Sequence, residues 1–329
     1  MSVRNAQDAF ASKKWGIFTH YIDRLQNNPD MPQSRGISTS WDECTAALDV
    51  GNIARTLHDV GAGYYFFTVM QGTRYLAAPN ETFRKITQTE PYSKRDLVSE
   101  LYEKLHKYGI DLCLYYTGDG PYKSEPEGSR FGFSEPRGHV SDEFVDKWSS
   151  VLREYAVRYG DKVTAWWIDG CYTKFLGYNE SQLVKYIEAC RDGNPDVLVA
   201  LNSGNDIIRG DGGSGSEESE AINDSILLPE QTMICGEENE FTYVPRSRFL
   251  GKWKNAQAHF LAPLGTASCG IGASWASDGV QCSKEQLAEY IKHVNDVGGV
   301  VSIDVILYRD GSFSEKQLEV LDYIGKTCR

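Results

Sequence analysis

Asp169 ends the apolar run Val163-Thr164-Ala165-Trp166-Trp167-Ile168 and is followed at once by Gly170. Such a run reads as a buried strand that delivers a carboxylate to a turn. In folds of alternating strands and helices, chemistry is done at the carboxyl ends of the strands, so an acid there invites a catalytic reading. An Asp in that place also serves as an ordinary helix cap. Further acids, Glu237 and Glu238, follow the run Gln231-Thr232-Met233-Ile234-Cys235. They are either partners of Asp169 or part of a solvated acidic loop.

Other polar side chains stand where strands are expected to end. Thr19-His20-Tyr21 closes the first, Met70-Gln71-Gly72-Thr73-Arg74-Tyr75 the second and Tyr115-Tyr116-Thr117-Gly118-Asp119 the third. Later strands contribute Asn202, Glu240, Trp275, Asp278 and Asp304. The ring so formed holds carboxylates, amides and aromatics, with few cations. That mixture suits a sugar: ring faces stack on aromatics, hydroxyls take hydrogen bonds, and an acid pair handles the glycosidic bond. Aromatic residues make up 12% of the chain, but Tyr65, Phe67 and Trp166 alternate with other strand residues and are expected in the core.

The elements that must position this ring follow from periodicity. Strands are expected at 15–19, 63–69, 110–116, 163–168, 196–202, 231–235, 266–271 and 299–305. Helices are expected at about 49–60, 94–108, 142–159, 180–192, 246–262, 283–297 and 314–326. Eight strands separated by helices predict an α/β fold, a (β/α)8 TIM barrel, filling residues 1–329 as one domain. The stretch from Ser203 to Glu220, rich in Gly, Ser and acids, reads as a long loop on the active face. It lacks both the lysine and the glycine spacing of a phosphate-binding loop.

Composition excludes several classes. A net charge of −12, spread along the chain, argues against nucleic acid or anionic membrane as a partner. No stretch of apolar residues is long enough to span a bilayer, and no secretory leader is evident at the N-terminus. The chain as given reads as cytoplasmic, or as a secreted form whose leader has been removed. The eight cysteines show no CxxC pair and no zinc spacing with histidine, so they are expected as buried thiols with no metal site and no cofactor.

Over nearly its whole length the sequence resembles glycoside hydrolase family 29, the retaining α-L-fucosidases. Lys14-Trp15-Gly16-Ile17-Phe18-Thr19-His20 is similar to the family's K-F-G-I-F-I-H-W-G, and Val60-Gly61-Ala62-Gly63-Tyr64-Tyr65 to A-G-A-K-Y. Arg95-Asp96-Leu97-Val98 with Tyr115-Tyr116 looks like D-L-V…Y-Y, and Trp167-Ile168-Asp169-Gly170 like W-F-D-G. Leu228-Pro229-Glu230-Gln231 resembles T-P-E-Q, Gly236-Glu237 falls at W-E, and 300–311 is similar to L-L-L-N-I-G-P…D-G.

The resemblance implies an exo-acting hydrolase working by double displacement on an oligosaccharide or glycoconjugate. Asp169 would attack the anomeric carbon and Glu237 would be the acid/base, with Glu238 its close rival and Glu43 a third candidate. His20 would bond sugar hydroxyls, while Tyr116, Asn202 and Trp275 would wall the pocket. The chain also departs from the family. Met70-Gln71-Gly72-Thr73-Arg74-Tyr75 replaces K-H-H-D-G-F, so Gln71 would keep one hydrogen bond and Arg74 would add a cation for a carboxylate or a loop acid. Tyr21-Ile22 replaces W-G, Asp304 replaces an Asn, and the frequent C-terminal β-sandwich has no counterpart. Two alternatives follow: a related glycosidase for an L-galactoside, a rhamnoside or a uronic-acid-bearing oligosaccharide, or a barrel that binds carbohydrate without cleaving it.

Overall fold

The computed structural model describes residues 2–133, 140–204, 226–266 and 274–328. Its strands are β1 (Trp15–Thr19), β2 (Tyr64–Thr68), β3 (Asp111–Thr117), β4 (Val163–Asp169), β5 (Leu198–Leu201), β6 (Phe249–Leu250), β7 (Ala256–Gln257), β8 (His259–Pro263) and β9 (Val300–Asp304). Seven of them form a curled, wholly parallel sheet in the order β5-β4-β3-β2-β1-β9-β8, while β6 and β7 make a small antiparallel hairpin. The expected strands at 15–19, 63–69, 110–116, 163–168, 196–202 and 299–305 are therefore β1 to β5 and β9.

Helices return the chain between strands, and their starts follow side-chain chemistry. Asp49, Asp96, Ser141, Asn179 and Ser283 each accept a hydrogen bond from the backbone two or three residues inside the helix that follows. Asn179 and Ser283 do so within reciprocal capping boxes. Helices Val50–Val60, Asp142–Tyr159, Glu180–Gly193, Lys284–Asp296 and Glu315–Thr327 match expectation closely. Among the described residues no helix is long and apolar enough to cross a membrane.

The core is divided by strand parity. Phe18, Phe66, Cys113, Tyr115, Ala165, Trp167, Ala200 and Leu261 pack together in one cluster inside the curl. Ile17, Tyr65, Phe67, Leu114, Tyr116, Trp166, Ile168 and Phe260 pack outward in a second cluster with the helices. Successive strand residues point to opposite faces, so both sides of each strand are apolar and buried, as a helix-covered parallel sheet requires.

Three expectations are corrected. Residues 246–262 hold no helix; the chain turns at Gly251 (φ 82°), forms the β6–β7 hairpin and runs on into β8. A short, fully buried apolar run has no helical stripe of its own, and its length cannot separate strand from helix. Residues 231–235 make no strand but only an isolated parallel bridge, Met233 with Gln257, and Glu237 just beyond them bridges Leu261 in the same way. Backbone bonds tie this segment to both sheet edges: Thr232 N donates to Val199 O at 3.0 Å, and Leu261 N donates to Gly236 O at 2.8 Å. The eight-stranded barrel is thus found as a seven-stranded curled sheet with an irregular segment between its edges. The strand expected at 266–271 and the long loop expected from Ser203 lie, apart from Ser203, Gly204 and Thr266, outside the described residues.

Candidate active site

A cavity of about 480 Å³ opens at the carboxyl ends of the parallel strands. Parity decides what lines it. The β3–β4 register pairs Tyr115 with Trp167 and Thr117 with Asp169, so these four share one face. Phe18, Tyr115, Trp167, Leu261 and Trp275 provide apolar lining, with Tyr115 and Trp167 stacked at 5.3 Å between ring centroids.

Asp169 is the last residue of β4 and is held by four donors. Tyr115 Oη donates to Oδ2 at 2.6 Å; Tyr172 Oη, Asn202 Nδ2 and the Gly170 N–H donate to Oδ1 at 3.0, 2.9 and 2.8 Å. Gly170 adopts φ 68°, the left-handed geometry that lets its own N–H fold back on the carboxylate. Burial, and then the Asp169 charge, push the Tyr115 hydroxyl well above the usual tyrosine range. For Tyr172 the Asp169 charge is the larger cause and burial the second. Both phenols therefore remain protonated donors, a set matched to an anionic acceptor.

Glu237 enters the same cavity from the segment between the sheet edges. Asn202 Nδ2 donates to its Oε2 at 2.6 Å as well as to Asp169, so one amide spans both carboxyl groups. Gly236, at φ 62°, aims Glu237; an added Cβ there would lie 1.8 Å from the His259 carbonyl oxygen. Trp167 Nε1 fastens the segment by donating to Cys235 O at 3.0 Å.

His20 lines the cavity beside Trp275, with ring centroids 6.1 Å apart. Its Nδ1 lies 2.8 Å from Asp304 Oδ1, and Asp304 Oδ2 accepts from Ala276 N at 2.5 Å. A carboxylate at Nδ1 orients the ring and leaves Nε2 for a ligand hydroxyl. Gln71 also faces the cavity, and its buried Oε1 has no hydrogen-bond partner among the described residues.

The remaining candidates lie elsewhere. Glu43 is exposed and closes a capping box with Ser40. Arg74 stands 3.6 Å from the buried Glu127 and packs over Tyr75. Tyr116 points outward, its hydroxyl donating to Trp148 O at 3.3 Å. Glu238 is one residue out of phase with Glu237 and is buried at 3% exposure on the helix side, close enough to Tyr290 to perturb its hydroxyl.

Burial pushes the Glu238 carboxyl well above the usual glutamate range, and the backbone N–H groups of Thr242 and Tyr243 offset only part of this. Below the unfolded value of about 4.3 both states are protonated; above it only the unfolded chain releases its proton, so Glu238 lowers stability as pH rises toward its folded pKa. Glu238→Gln is expected to gain stability over the parent at pH 7 and to show no gain at pH 4. Urea denaturation at the two pH values checks this, and an equal change at both would contradict the buried neutral acid.

The sequence placed Tyr115 and Asp119 in the strand-end ring without giving them a role and did not single out Phe18, Arg24, Lys123, Trp167 or Tyr172, yet all line the cavity. Tyr115 and Trp167 were accessible through their parity with Asp169; Arg24, Lys123 and Tyr172 sit on connections that carry no such signal. Among the described residues no three of His, Cys, Asp and Glu converge as a metal site.

No family model matches the chain, and comparison with curated proteins finds no match. Solved structures share its fold. The endo-fucoidan hydrolase P5AFcnA of glycoside hydrolase family 107 is similar at 14% identity and a TM-score of 0.69, over 98% of this chain and 92% of that one. The α-L-fucosidase AlfC of Lactobacillus casei, in complex with α-L-fucose, is similar at 16% identity and a TM-score of 0.62, over 98% and 97%. The endo-fucoidan hydrolase MfFcnA4, also of family 107, is similar at 14% identity and a TM-score of 0.67, over 97% of this chain; the chain spans only 53% of that protein's length.

Proposed function

We propose that the protein is an α-glycoside hydrolase of the α-L-fucosidase type, releasing a terminal sugar by a retaining double displacement. In this reading the segment 231–238 closes the curled sheet into a (β/α)8 barrel, and the cavity at its mouth is the active site. The observation that carries the proposal is the shared amide. Asn202 Nδ2 lies 2.9 Å from one carboxylate and 2.6 Å from the other, which keeps these oxygens within about 5.5 Å, the separation that retaining chemistry uses. Inverting chemistry needs about 6.5–9.5 Å, because a water must fit between.

The steps follow from the donors present. Asp169, held between Tyr115, Tyr172, Asn202 and Gly170, attacks the anomeric carbon. Glu237 gives its proton to the leaving oxygen as the glycosidic bond breaks, leaving a glycosyl ester on Asp169. Water then enters, Glu237 takes its proton, and attack at the anomeric carbon returns Asp169 as a carboxylate. His20, fixed by Asp304, bonds a sugar hydroxyl through Nε2. Trp275 gives an apolar face for the ring, as stacking on sugars requires.

Proton NMR of the first product from an aryl α-L-fucoside tests the stereochemistry. The α-anomer is expected first, followed by slow mutarotation. Initial β-anomer would overturn the retaining assignment, and silence on every aryl α-glycoside would favour a carbohydrate-binding barrel.

A further inference from the structure

The charged lining of the cavity comes from several strand ends, with Asp119 on the connection after β3. Asp169 and Glu237 come from β4 and from the segment after Cys235; Arg24, Gln71 and Lys123 come from the connections after β1, β2 and β3, which are neighbours in the sheet. The Lys123 ammonium lies over Gly72, where an added Cβ would be 3.6 Å from its Nζ. Among the described residues, Arg24 Nε is buried without an acceptor, and Gln71 Oε1, also in the lining, is buried without a donor. A chain of net charge −12 has thus placed two cations, Arg24 and Lys123, in the lining of its cavity, where Asp119 is the acid on the same connection as Lys123. They are not needed to hold Asp169, which takes its hydrogen bonds from two phenols, an amide and a backbone N–H. Arg74 is not in this lining and faces Glu127.

A buried N–H without an acceptor is costly until a ligand supplies one, and a guanidinium and an ammonium in one cavity lining match the oxygens of a carboxylate or a sulfate ester. We propose that the end of the cavity formed after β1, β2 and β3 is a subsite for an anionic substituent on the sugar substrate, with Arg24 as the specificity-determining residue and Lys123 as the second cation. The proposal rests on the glycosidase reading and names the class of substrate that site takes: an acidic rather than a neutral oligosaccharide.

The test uses the full chain carrying Asp169→Asn, so that binding is read without turnover. Calorimetry would compare a neutral α-L-fucosyl oligosaccharide with the same compound bearing a sulfate ester, and with one bearing a glucuronate carboxylate. At least one acidic ligand is expected to bind about tenfold tighter than the neutral one, with a preference that shrinks as salt rises. Which of the two prevails identifies the anion. Arg24→Gln should bring the acidic-to-neutral ratio close to one, and Arg24→Lys should restore part of it. Equal affinity for all three ligands, or a ratio unmoved by Arg24→Gln, would overturn the subsite while leaving the glycosidase reading intact. Absence of binding to any of them would overturn both.

Discussion

Asp169→Asn is expected to lower kcat on an aryl α-L-fucoside by a factor on the order of 10⁴ or more, the scale seen when a covalent nucleophile is removed. The substitution keeps the side chain's size, and its remaining oxygen can still accept from Tyr115, or from Asn202 and Tyr172. The loss would therefore lie in chemistry rather than in folding. KM should change little, because the carboxylate meets the anomeric carbon chiefly in the transition state. Added azide should restore turnover in the smaller Asp169→Ala variant and give a glycosyl azide of inverted configuration, since one displacement replaces two.

Glu237→Ala should behave differently, and the difference separates the two roles. Loss of a general acid is expected to cost about 10²- to 10⁴-fold with a poor leaving group and much less with an activated phenol, which departs without a proton. The ester on Asp169 would then accumulate, because no base activates water. Azide needs no base, so it should rescue the second step and give a glycosyl azide of retained configuration. Steady-state kinetics across leaving groups, with the product anomer read by NMR, check both halves. Equal loss on all leaving groups would show that Glu237 is not the acid.

Glu238 is the natural control for Glu237. The two are adjacent in sequence, but the pairing of Glu237 with Leu261 fixes the phase of the segment and sends them to opposite faces. A carboxyl at 3% exposure on the helix side cannot replace one that lines the cavity.

The strands bearing the site were legible because each is a short apolar run bounded by turn residues and ending in a polar group. Their helices were legible from caps such as Asp49, Ser141 and Asn179, where a side-chain oxygen meets the free N–H groups of the first turn. Asp169, Glu237, His20, Gln71, Asn202 and Trp275 were all named from sequence, and the structure gathers them around one cavity. What failed was parity and irregularity. Tyr116 was preferred to Tyr115, although only Tyr115 is in phase with Trp167 on the neighbouring strand. The helix expected at 246–262 failed because a fully buried strand such as β8 lacks the polar alternation that would separate it from a helix. Glu43 suits a capping box as well as it suits a catalytic acid, and local sequence does not tell the two apart.

The histidine pair at the end of strand 2 in the resembled family has no equivalent here, and its place in the lining is taken by Gln71 and Gly72 beneath Lys123. A site built on hydrogen bonds discriminates strongly when its partners change, so the nucleophile and the sugar it attacks are separate questions. In the proposed reading the nucleophile depends on β4 and its donors, and the choice of sugar on the connections after β1, β2 and β3.

In the proposed mechanism Asp169 forms a covalent bond with the sugar. Incubation of the protein with a 2-deoxy-2-fluoro-L-fucosyl fluoride, followed by intact-mass and peptide mass spectrometry, tests it most directly. One sugar per chain is expected, attached to the peptide that carries Asp169 and absent from Asp169→Asn. A sugar attached to any other residue, or turnover of aryl fucosides with inversion and no adduct at all, would contradict it.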